Sequence, residues 1–270
     1  MSSGYRLTLK HAPALRIDAS ALLPDALATL TPTEVENIPL PHGRERLRVG
    51  DLFAVQQRDD PTLTLEGDLS RFDRIACTLA EGAIHVRGSV GVYAGAGMSG
   101  GKLVVDGDAG DLTGCAMRGG WLEVHGHAGD LAASALPGDM DGMRGGTLVV
   151  RGNAGARLAD RMRRGSVVVF GDVGEFMASR MVAGTIAIAG RCGAHAAYGM
   201  RRGSIVFAGN APTLAPTFVP VHSNADVFWQ LLARDLARFG GPFAGLAQRR
   251  VARHAGDLAV MGKGELLIPC

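Results

Sequence analysis

Residues 162–180 read MRRGSVVVFGDVGEFMASR, and residues 181–199, which follow directly, read MVAGTIAIAGRCGAHAAYG. Both stretches are 19 residues long and begin with methionine. Glycine occupies three equivalent positions in the two stretches: Gly165 and Gly184, Gly171 and Gly190, and Gly174 and Gly193. A repeat of this kind predicts stacked structural units, because one unit is too short to bury its own apolar side chains.

The repeat continues on both sides of these two stretches. A methionine opens successive units at Met98, Met117, Met143, Met162, Met181 and Met200. A glycine ends the central apolar run at Gly88, Gly107, Gly126, Gly152, Gly171, Gly190 and Gly209. One interval is 26 residues rather than 19, so that unit holds seven extra residues within the range 133–142. Seven or eight units therefore cover residues 62–210.

The central run of each unit has the pattern of a β-strand. In GKLVVDGD, residues 101–108, Leu103 and Val105 alternate with outward residues, and the run is too short for a helix. Asp or Asn follows the closing glycine in several units, as at Asp108 and Asp172, and predicts a turn through positive φ. A second short strand and a second turn complete the predicted unit.

These features predict an all-β chain that forms a right-handed parallel β-helix of seven to eight coils, one coil per 19-residue unit. The handedness follows from the general preference of parallel crossovers. The six-residue sub-period of left-handed β-helices is absent from the sequence. The methionines are expected to stack as one inward ladder, where flexible thioethers fill the core.

Two segments without the repeat flank the predicted β-helix of residues 61–210. Residues 1–60 contain a strand at YRLTLK and a short helix near Pro24, and they are expected to cap the first coil. Residues 211–270 read as a proline-containing linker, an amphipathic helix and a C-terminal strand. The predicted helix has Asn224 as its N-cap, Gly240 as its stop, and an apolar face of Val227, Phe228, Leu231, Leu232 and Leu236.

Composition excludes several classes of function. The formal net charge is +2, which does not indicate the strongly basic surface of a nucleic-acid-binding protein. The N-terminus lacks the apolar stretch of a signal peptide, and no apolar run is long enough to cross a membrane, so a cytoplasmic protein is expected. The four cysteines are far apart and form no C-x-x-C pair, which favours small core residues over a zinc or redox site: Cys77, Cys115, Cys192 and Cys270.

The sequence predicts no catalytic residue and no metal site. The glycine-rich GAGMSGG, residues 95–101, is in register with the repeat and lacks the lysine of a phosphate-binding loop. His125 and His127 are candidate metal ligands, but the favoured interpretation places both at a solvated strand edge without a metal. The outward residues of the first units form no dense carboxylate cluster, which argues against a polysaccharide lyase.

Two surface stripes and the insertion are the candidate binding features. The apolar stripe contacts either a partner protein or the chain's own helix, and it consists of Val149, Val168, Phe170, Ala187 and Val206. The basic stripe binds an anion or an acidic partner, or it simply extends into water, and it consists of Arg118, Arg144, Arg163, Arg164, Arg201 and Arg202. Insertions in repeat arrays commonly lie on the binding face, so Pro137 and Asp139 are expected at an interface.

The sequence closely resembles the C subunit of formylmethanofuran dehydrogenase. The resemblance lies in EGDLSRFDRIACTLAEGAIHVRGSVG, residues 66–91, and in the succession GMSGGKLVVDGDAGDLTGCAMRGGWLEVHGHAGDLAASALPGDMDGMRGGTLVVRGNAG, residues 97–155. It extends to RVGDLFAVQ, residues 48–56, and to GDLAVMGKGELLI, residues 256–268. The C-terminal domain of the glutamate synthase large subunit is similar only in the coils.

The resemblance implies a non-catalytic scaffold subunit of a bacterial formyltransferase/hydrolase complex. Such a complex converts formyl-tetrahydromethanopterin to formate through a methanofuran analogue, with metals on an amidohydrolase-like subunit and with a separate formyltransferase subunit. The alternative is the C subunit of a molybdenum or tungsten formylmethanofuran dehydrogenase. All but three of the 28 Lys and Arg residues are arginine, which favours the bacterial complex.

Three further interpretations remain open from the sequence. A stand-alone β-helix enzyme of the lyase or acyltransferase class would show turnover by itself. A spacer domain like that of glutamate synthase would share the coils but not the terminal motifs. Because the bacterial methanofuran analogue carries a glutamate chain, the resemblance also makes that chain a candidate ligand of the basic stripe.

Overall fold

The computed structural model describes residues 4–210, 212–221 and 226–270. The described strands are β1 Gly4–Leu9, β2 Ile17–Asp18, β3 Pro39–His42, β4 Glu45–Arg48, β5 Phe53–Arg58, β6 Leu63–Glu66, β7 Phe72–Asp73, β8 Ala83–Arg87, β9 Lys102–Val105, β10 Arg118–Val124, β11 Arg144–Val150, β12 Arg164–Val169, β13 Thr185–Ile188, β14 Ser204–Phe207, β15 Val219–Val221, β16 Val251–Gly256 and β17 Gly264–Pro269. The described α-helices are α1 Pro24–Leu27, α2 Pro32–Glu36, α3 Val49–Leu52 and α4 Asp226–Ala237. Short 3₁₀ segments lie at Gly241–Phe243, Leu246–Gln248 and Leu258–Val260.

One large sheet contains most of these strands. Its order is β15-β16-β17-β14-β13-β12-β11-β10-β9-β8-β6-β1-β5, and the central strands from β6 to β14 are parallel. Neighbouring strands pair at equivalent repeat positions, so Leu122 lies between Leu103 and Leu148. A second parallel ladder of single bridges runs through Val90, Ala109, Ala128, Ala154 and Val173. The chain is therefore mostly β, and its repeat units pair in parallel at two places, the strand and the single bridge.

The core lies between the sheet and the second ladder. Leu103, Val105 and their equivalents in the other strands are buried, as the alternation predicted. All six repeat methionines are buried with no exposed surface, so the predicted inward ladder is confirmed: Met98, Met117, Met143, Met162, Met181 and Met200. Flexible thioether side chains suit this narrow space because they adapt to irregular gaps.

Glycine is required at the end of each strand because the backbones of neighbouring units lie very close together there. Gly126 donates its N–H to the carbonyl of Gly107 at 3.0 Å, and Gly171 donates to Gly152 at 3.0 Å. A Cβ on Gly171 would lie 2.6 Å from the oxygen of Gly152. The predicted turn through positive φ was wrong at these positions, since neither Gly126 nor Gly171 has a positive φ.

The predicted second strand is reduced to one bridged residue per unit, such as Val173, and the rest of that part is a series of tight turns. In one unit Phe176, Ala178 and Arg180 all have left-handed φ values between 55° and 57°. The N–H groups of Phe176 and Arg180 donate to the next unit, at 2.9 and 2.7 Å, while that of Ala178 donates to the preceding unit at 2.8 Å. Left-handed residues direct successive peptide groups to opposite neighbours, and these bonds offset the strain of the conformation.

The N-terminal segment extends the large sheet. Strand β1 pairs in parallel with β6 and antiparallel with β5, so YRLTLK forms the predicted strand. Helix α1 begins at Pro24, where the fixed φ of proline suits a first helical position. One hydrophobic core contains residues of both this segment and the repeats. The domain boundaries at residues 60 and 210 stay a prediction.

The C-terminal segment returns to the sheet and then covers its outer face. Strand β17 pairs in parallel with β14, and β16 pairs antiparallel with β17. Helix α4 and the two following 3₁₀ segments pack on the outer face of β11 to β14. Trp121 stacks on Phe239 with ring centroids 5.9 Å apart, and Arg151 donates to the carbonyl of Phe239 at 3.2 Å.

This cover decides between the two interpretations of the apolar stripe. Val149, Val168, Ala187 and Val206 are buried against Trp229, Ala233, Leu236 and Phe243, and Phe170 meets Phe243 edge-to-face at 5.1 Å. These side chains contact the chain's own C-terminal segment, so the interface prediction is wrong for them.

The buried face of the helix matches the predicted face only in part: Leu236 is buried and Leu232 packs beside it, as predicted. Trp229, Ala233 and Leu236 are buried, whereas Val227, Phe228 and Leu231 are exposed. The predicted N-cap Asn224 lies outside the described residues.

Candidate functional site: an arginine-lined groove

The basic stripe lies at the edge of the sheet where strands β10 to β12 begin. Arg118, Arg144 and Arg163 donate their backbone N–H groups to the methionine carbonyl of the preceding unit, at 2.7, 2.7 and 2.8 Å. Arg201 donates in the same way to Met181 at 2.8 Å. Because each of these arginines follows a buried methionine, the repeat fixes its backbone while its side chain extends into solvent.

Five of the six predicted arginines line one groove. The groove has a volume of about 550 Å³ and is lined by Arg144, Arg163, Arg164, Arg201 and Arg202. Val182 and Ala183, which replace arginine in the intervening unit, contribute its apolar lining. Arg118 does not line the groove, although it lies opposite Gly145 in the neighbouring strand.

The groove carries excess positive charge. Asp141, from the insertion, pairs with Arg144 at 3.2 Å and with Arg163 at a shorter distance. Within the described part of the chain, Arg164, Arg201 and Arg202 have no carboxylate partner. An excess of arginine over carboxylate in one groove favours a bound anion, although solvent and salt screen the attraction at an exposed site.

A second cavity of about 470 Å³ adjoins the groove and shares Arg163, Val182 and Arg201 with it. It adds two arginines that the sequence analysis missed, Arg161 and Arg180. Their spacing of 19 residues was the signal that could have identified them. The cavity also has an apolar wall made of Met140, Tyr198 and Val260.

Two buried carboxylates hold this second cavity in shape. Asp160 accepts hydrogen bonds from Arg180 on both of its carboxylate oxygens, at 2.9 and 3.0 Å, and so neutralises that arginine. Asp257 accepts from the N–H groups of Gly199 and Ala259, each at 3.0 Å. Burial alone would raise the pKa of Asp257, but hydrogen bonds from Thr217, Gly199 and Ala259 outweigh burial and lower that pKa.

The histidines considered as metal ligands have other partners. The ring Nδ1 of His127 accepts the N–H of Asn153 at 2.9 Å, and the N–H of His127 donates to Asp108 at 2.7 Å. Asn153 and Asp172 continue this ladder of side-chain acceptors into the next units. His125 lies 3.3 Å from Asp106. Among the residues that the structure describes, no group of three or more His, Cys, Asp or Glu is arranged to hold a metal ion.

The insertion forms an exposed loop beside the second cavity. Pro137 and Asp139 are exposed, and Arg161 donates to the carbonyl of Asp139 at 3.5 Å. No helix in the described ranges has the length and apolar character needed to span a bilayer.

Comparison with known proteins assigns the family. A model of the GXGXG motif matches residues 78–218, which is more than half of the chain. The chain belongs to the GXGXG family. This member of the GXGXG family is homologous to the C subunit of formylmethanofuran dehydrogenase, as its motifs predicted.

Two curated relatives illustrate the homology. The C subunit of tungsten-containing formylmethanofuran dehydrogenase 2 from Methanothermobacter wolfeii is 38% identical over 96 residues, which is 34% of this chain and 36% of the relative. The C subunit of the formyltransferase/hydrolase complex Fhc from Methylorubrum extorquens is 42% identical over 76 residues, 28% of this chain and 29% of the relative. The aligned part of the chain thus spans about a third of the length of these curated relatives.

A solved structure matches over almost the whole chain. It is the crystal structure of the formyltransferase/hydrolase complex (FhcABCD) from Methylorubrum extorquens in complex with methylofuran. One of its chains superposes on this GXGXG-family chain with a TM-score of 0.92 and 40% identity, over 98% of this chain and 99% of that chain. The similarity therefore includes both terminal segments as well as the repeats.

Proposed function

We propose that this chain is a non-catalytic scaffold subunit of a formyltransferase/hydrolase complex in one-carbon metabolism. The observation that carries the proposal is the match, at 40% identity over 98% of the chain, to a chain of the FhcABCD complex. The C subunit of a molybdenum or tungsten formylmethanofuran dehydrogenase is the second candidate, because a relative of that name shares 38% identity over 96 residues.

The proposed reaction belongs to the complex as a whole. Formyl-tetrahydromethanopterin would deliver its formyl group to a methanofuran-type carrier on a formyltransferase subunit. An amidohydrolase-like subunit with metals would then release formate. The residues of this chain would supply a stiff surface to which those subunits attach, in the cytoplasm.

The stiffness follows from the proposed coil architecture. We place residues 61–210 in a right-handed parallel β-helix, supported by two parallel ladders that recur in every repeat unit. Each unit bonds to both neighbours through its strand and its turns. Such an array transmits the position of one attached subunit to another with little internal motion.

The arginine-lined groove is the proposed anion site. Arg164, Arg201 and Arg202, which lack a carboxylate partner within the described ranges, suit a polyanion, either the glutamate tail of the carrier or an acidic surface of a partner. When bound to the complex, the carrier supplies the group that accepts the formyl. Arginine in this groove would only hold the tail, because none of the residues that line the groove is a nucleophile or a general acid. Pro137 and Asp139 stay proposed interface residues on the exposed insertion.

The first experiment is purification of the tagged chain from its native host, with identification of its partners by mass spectrometry. Co-purification of an amidohydrolase-like subunit and a formyltransferase subunit supports the proposal. Iron–sulfur and molybdopterin subunits would favour the dehydrogenase instead. A chain that purifies alone and shows lyase or acyltransferase turnover would contradict both and favour a stand-alone enzyme.

A further inference from the structure

We infer that the second cavity, lined by Met140, Tyr198 and Val260 together with Arg161, Arg163 and Arg201, docks an acidic segment of a neighbouring subunit that inserts an apolar side chain. The inference rests on the proposed function, because it requires a complex. It goes further by assigning a particular cavity and the chemistry of its occupant.

The apolar wall is the first line of argument. Met140, Tyr198 and Val260 are 71%, 60% and 43% exposed. This exposure is notable because burial of apolar and aromatic side chains is energetically favourable. They come from the insertion, from the repeat unit of residues 181–199 and from the C-terminal segment, yet they line one cavity. Exposed tyrosine and methionine that converge in a concave site are typical of the centre of a protein interface.

The charge of the cavity defines the polar part of the occupant. Asp160 neutralises Arg180, but Arg201 has no carboxylate partner in the described ranges. Arg161 is 3.7 Å from Asp160, which Arg180 already engages with both oxygens. The cavity also opens onto the arginine-lined groove. Asp257 also lines the cavity and Asp141 pairs with Arg163, so carboxylates of a partner would find positive charge at Arg161 and Arg201 and in the adjoining groove.

The same features distinguish a protein segment from the tail of the carrier. A chain of glutamates could pair with the arginines but has no apolar side chain to bury against Met140 and Tyr198. A partner segment with a leucine or an aromatic residue between carboxylates satisfies both parts of the lining. The cavity is also preorganised, since Asp257 fixes Gly199 and Ala259 beside it. Preorganised walls lower the cost of ordering on binding.

The test uses the whole complex purified through a tag on this chain. The variants are Met140→Ser with Tyr198→Ser, which removes the apolar wall, and Arg201→Glu, which reverses one charge. Matched controls are Leu15→Ser and Arg44→Glu, an exposed apolar and an exposed basic residue of the N-terminal segment. Equal melting temperatures of the isolated variants establish that each one folds.

We expect the double serine variant to retain the neighbouring subunit roughly tenfold less well at every salt concentration, since a buried interface anchor is worth at least about that factor. Arg201→Glu should weaken retention most at low salt, where charge attraction is least screened. The two controls should behave as the wild type does.

Two results would overturn the inference while leaving the scaffold function intact. One is unchanged retention of all subunits by both variants. The other is full retention of the subunits with loss of the bound carrier, which would assign the cavity to the carrier's tail. A wild-type chain that retains no subunit would instead overturn the proposed function and this inference together.

Discussion

Gly171 illustrates why single residues recur so strictly in this chain. Its backbone lies against Gly152 of the preceding unit, and a Cβ would lie 2.2 Å from Oδ1 of Asn153. Asn153 cannot move away freely, because this oxygen accepts the N–H of Asp172 at 2.8 Å. Any side chain at Gly171 must therefore push two units apart or break the acceptor ladder.

Gly171→Ala is expected to lower the free energy of unfolding by about 1–3 kcal/mol, the usual cost of overpacking. Thermal unfolding followed by circular dichroism measures the loss. Gly245→Ala is the matched control, since the nearest atom to its Cβ lies 4.0 Å away, and it should change stability by no more than about 0.5 kcal/mol. Equal effects of the two substitutions would contradict the close-approach argument.

Asp257 gives a residue-level prediction that depends on pH. Hydrogen bonds keep its folded pKa below the ordinary value, so its stabilisation is complete above that value and is lost as the pH falls through the folded pKa. Asp257→Asn should therefore destabilise the chain at pH 7 by about 2 kcal/mol, the scale of hydrogen bonds to a charged group. The difference in stability between the two proteins should shrink as the pH falls from the ordinary range of an aspartate through the folded pKa. Parallel stability curves of both proteins between pH 7 and pH 2 would refute this account.

At the scale of elements, aromatic side chains contribute to the attachment of the C-terminal segment to the outer sheet face. Phe243 is completely buried and meets Phe170 at 5.1 Å, while Trp121 stacks on Phe239. Glu123 accepts hydrogen bonds from Arg151 and Trp121 next to these aromatic contacts. Burial opposes ionisation of the Glu123 carboxyl group, but the two hydrogen bonds prevail and lower its pKa. The segment thus protects an apolar sheet face that would otherwise be exposed to water.

Phe243→Ala should cost about 3–5 kcal/mol of docking free energy, because it removes a large buried side chain and leaves a cavity. We expect faster limited proteolysis after residue 210 and stronger binding of an apolar dye, with the repeats still folded. Phe228→Ala, on the exposed side of α4, serves as the control and should change neither readout. Protection of the segment in the Phe243 variant would show that the cover is held by other contacts.

At the scale of the whole molecule, the outer sheet face and the arginine-lined groove differ in their exposure to solvent. One face is sealed by the chain itself, and the arginine-lined groove with its adjoining cavity stays open to solvent. The molecule therefore offers a partner a charged, partly apolar surface rather than the apolar stripe.

Simultaneous Arg163→Glu and Arg201→Glu should weaken assembly of the complex, or its content of methanofuran-type carrier, at least about tenfold at low salt. The two readouts are subunit retention and carrier content after purification. Arg44→Glu tests for a non-specific effect of added negative charge. Unchanged assembly together with unchanged carrier content would eliminate the groove as an anion site.

The 19-residue period by itself determined the strands, their parallel order and the buried methionine ladder, because pairing at equivalent positions is a property of the repeat. It did not determine why glycine closes each strand, or that left-handed turns leave only one bridged residue of the second strand, since both depend on contacts between units. Packing of α4 decided that Val149 and Val168 are covered. The second cavity likewise exists only in three dimensions: Met140, Tyr198 and Val260 are far apart along the chain, and only the return of the C-terminal segment to the last repeat unit brings them together.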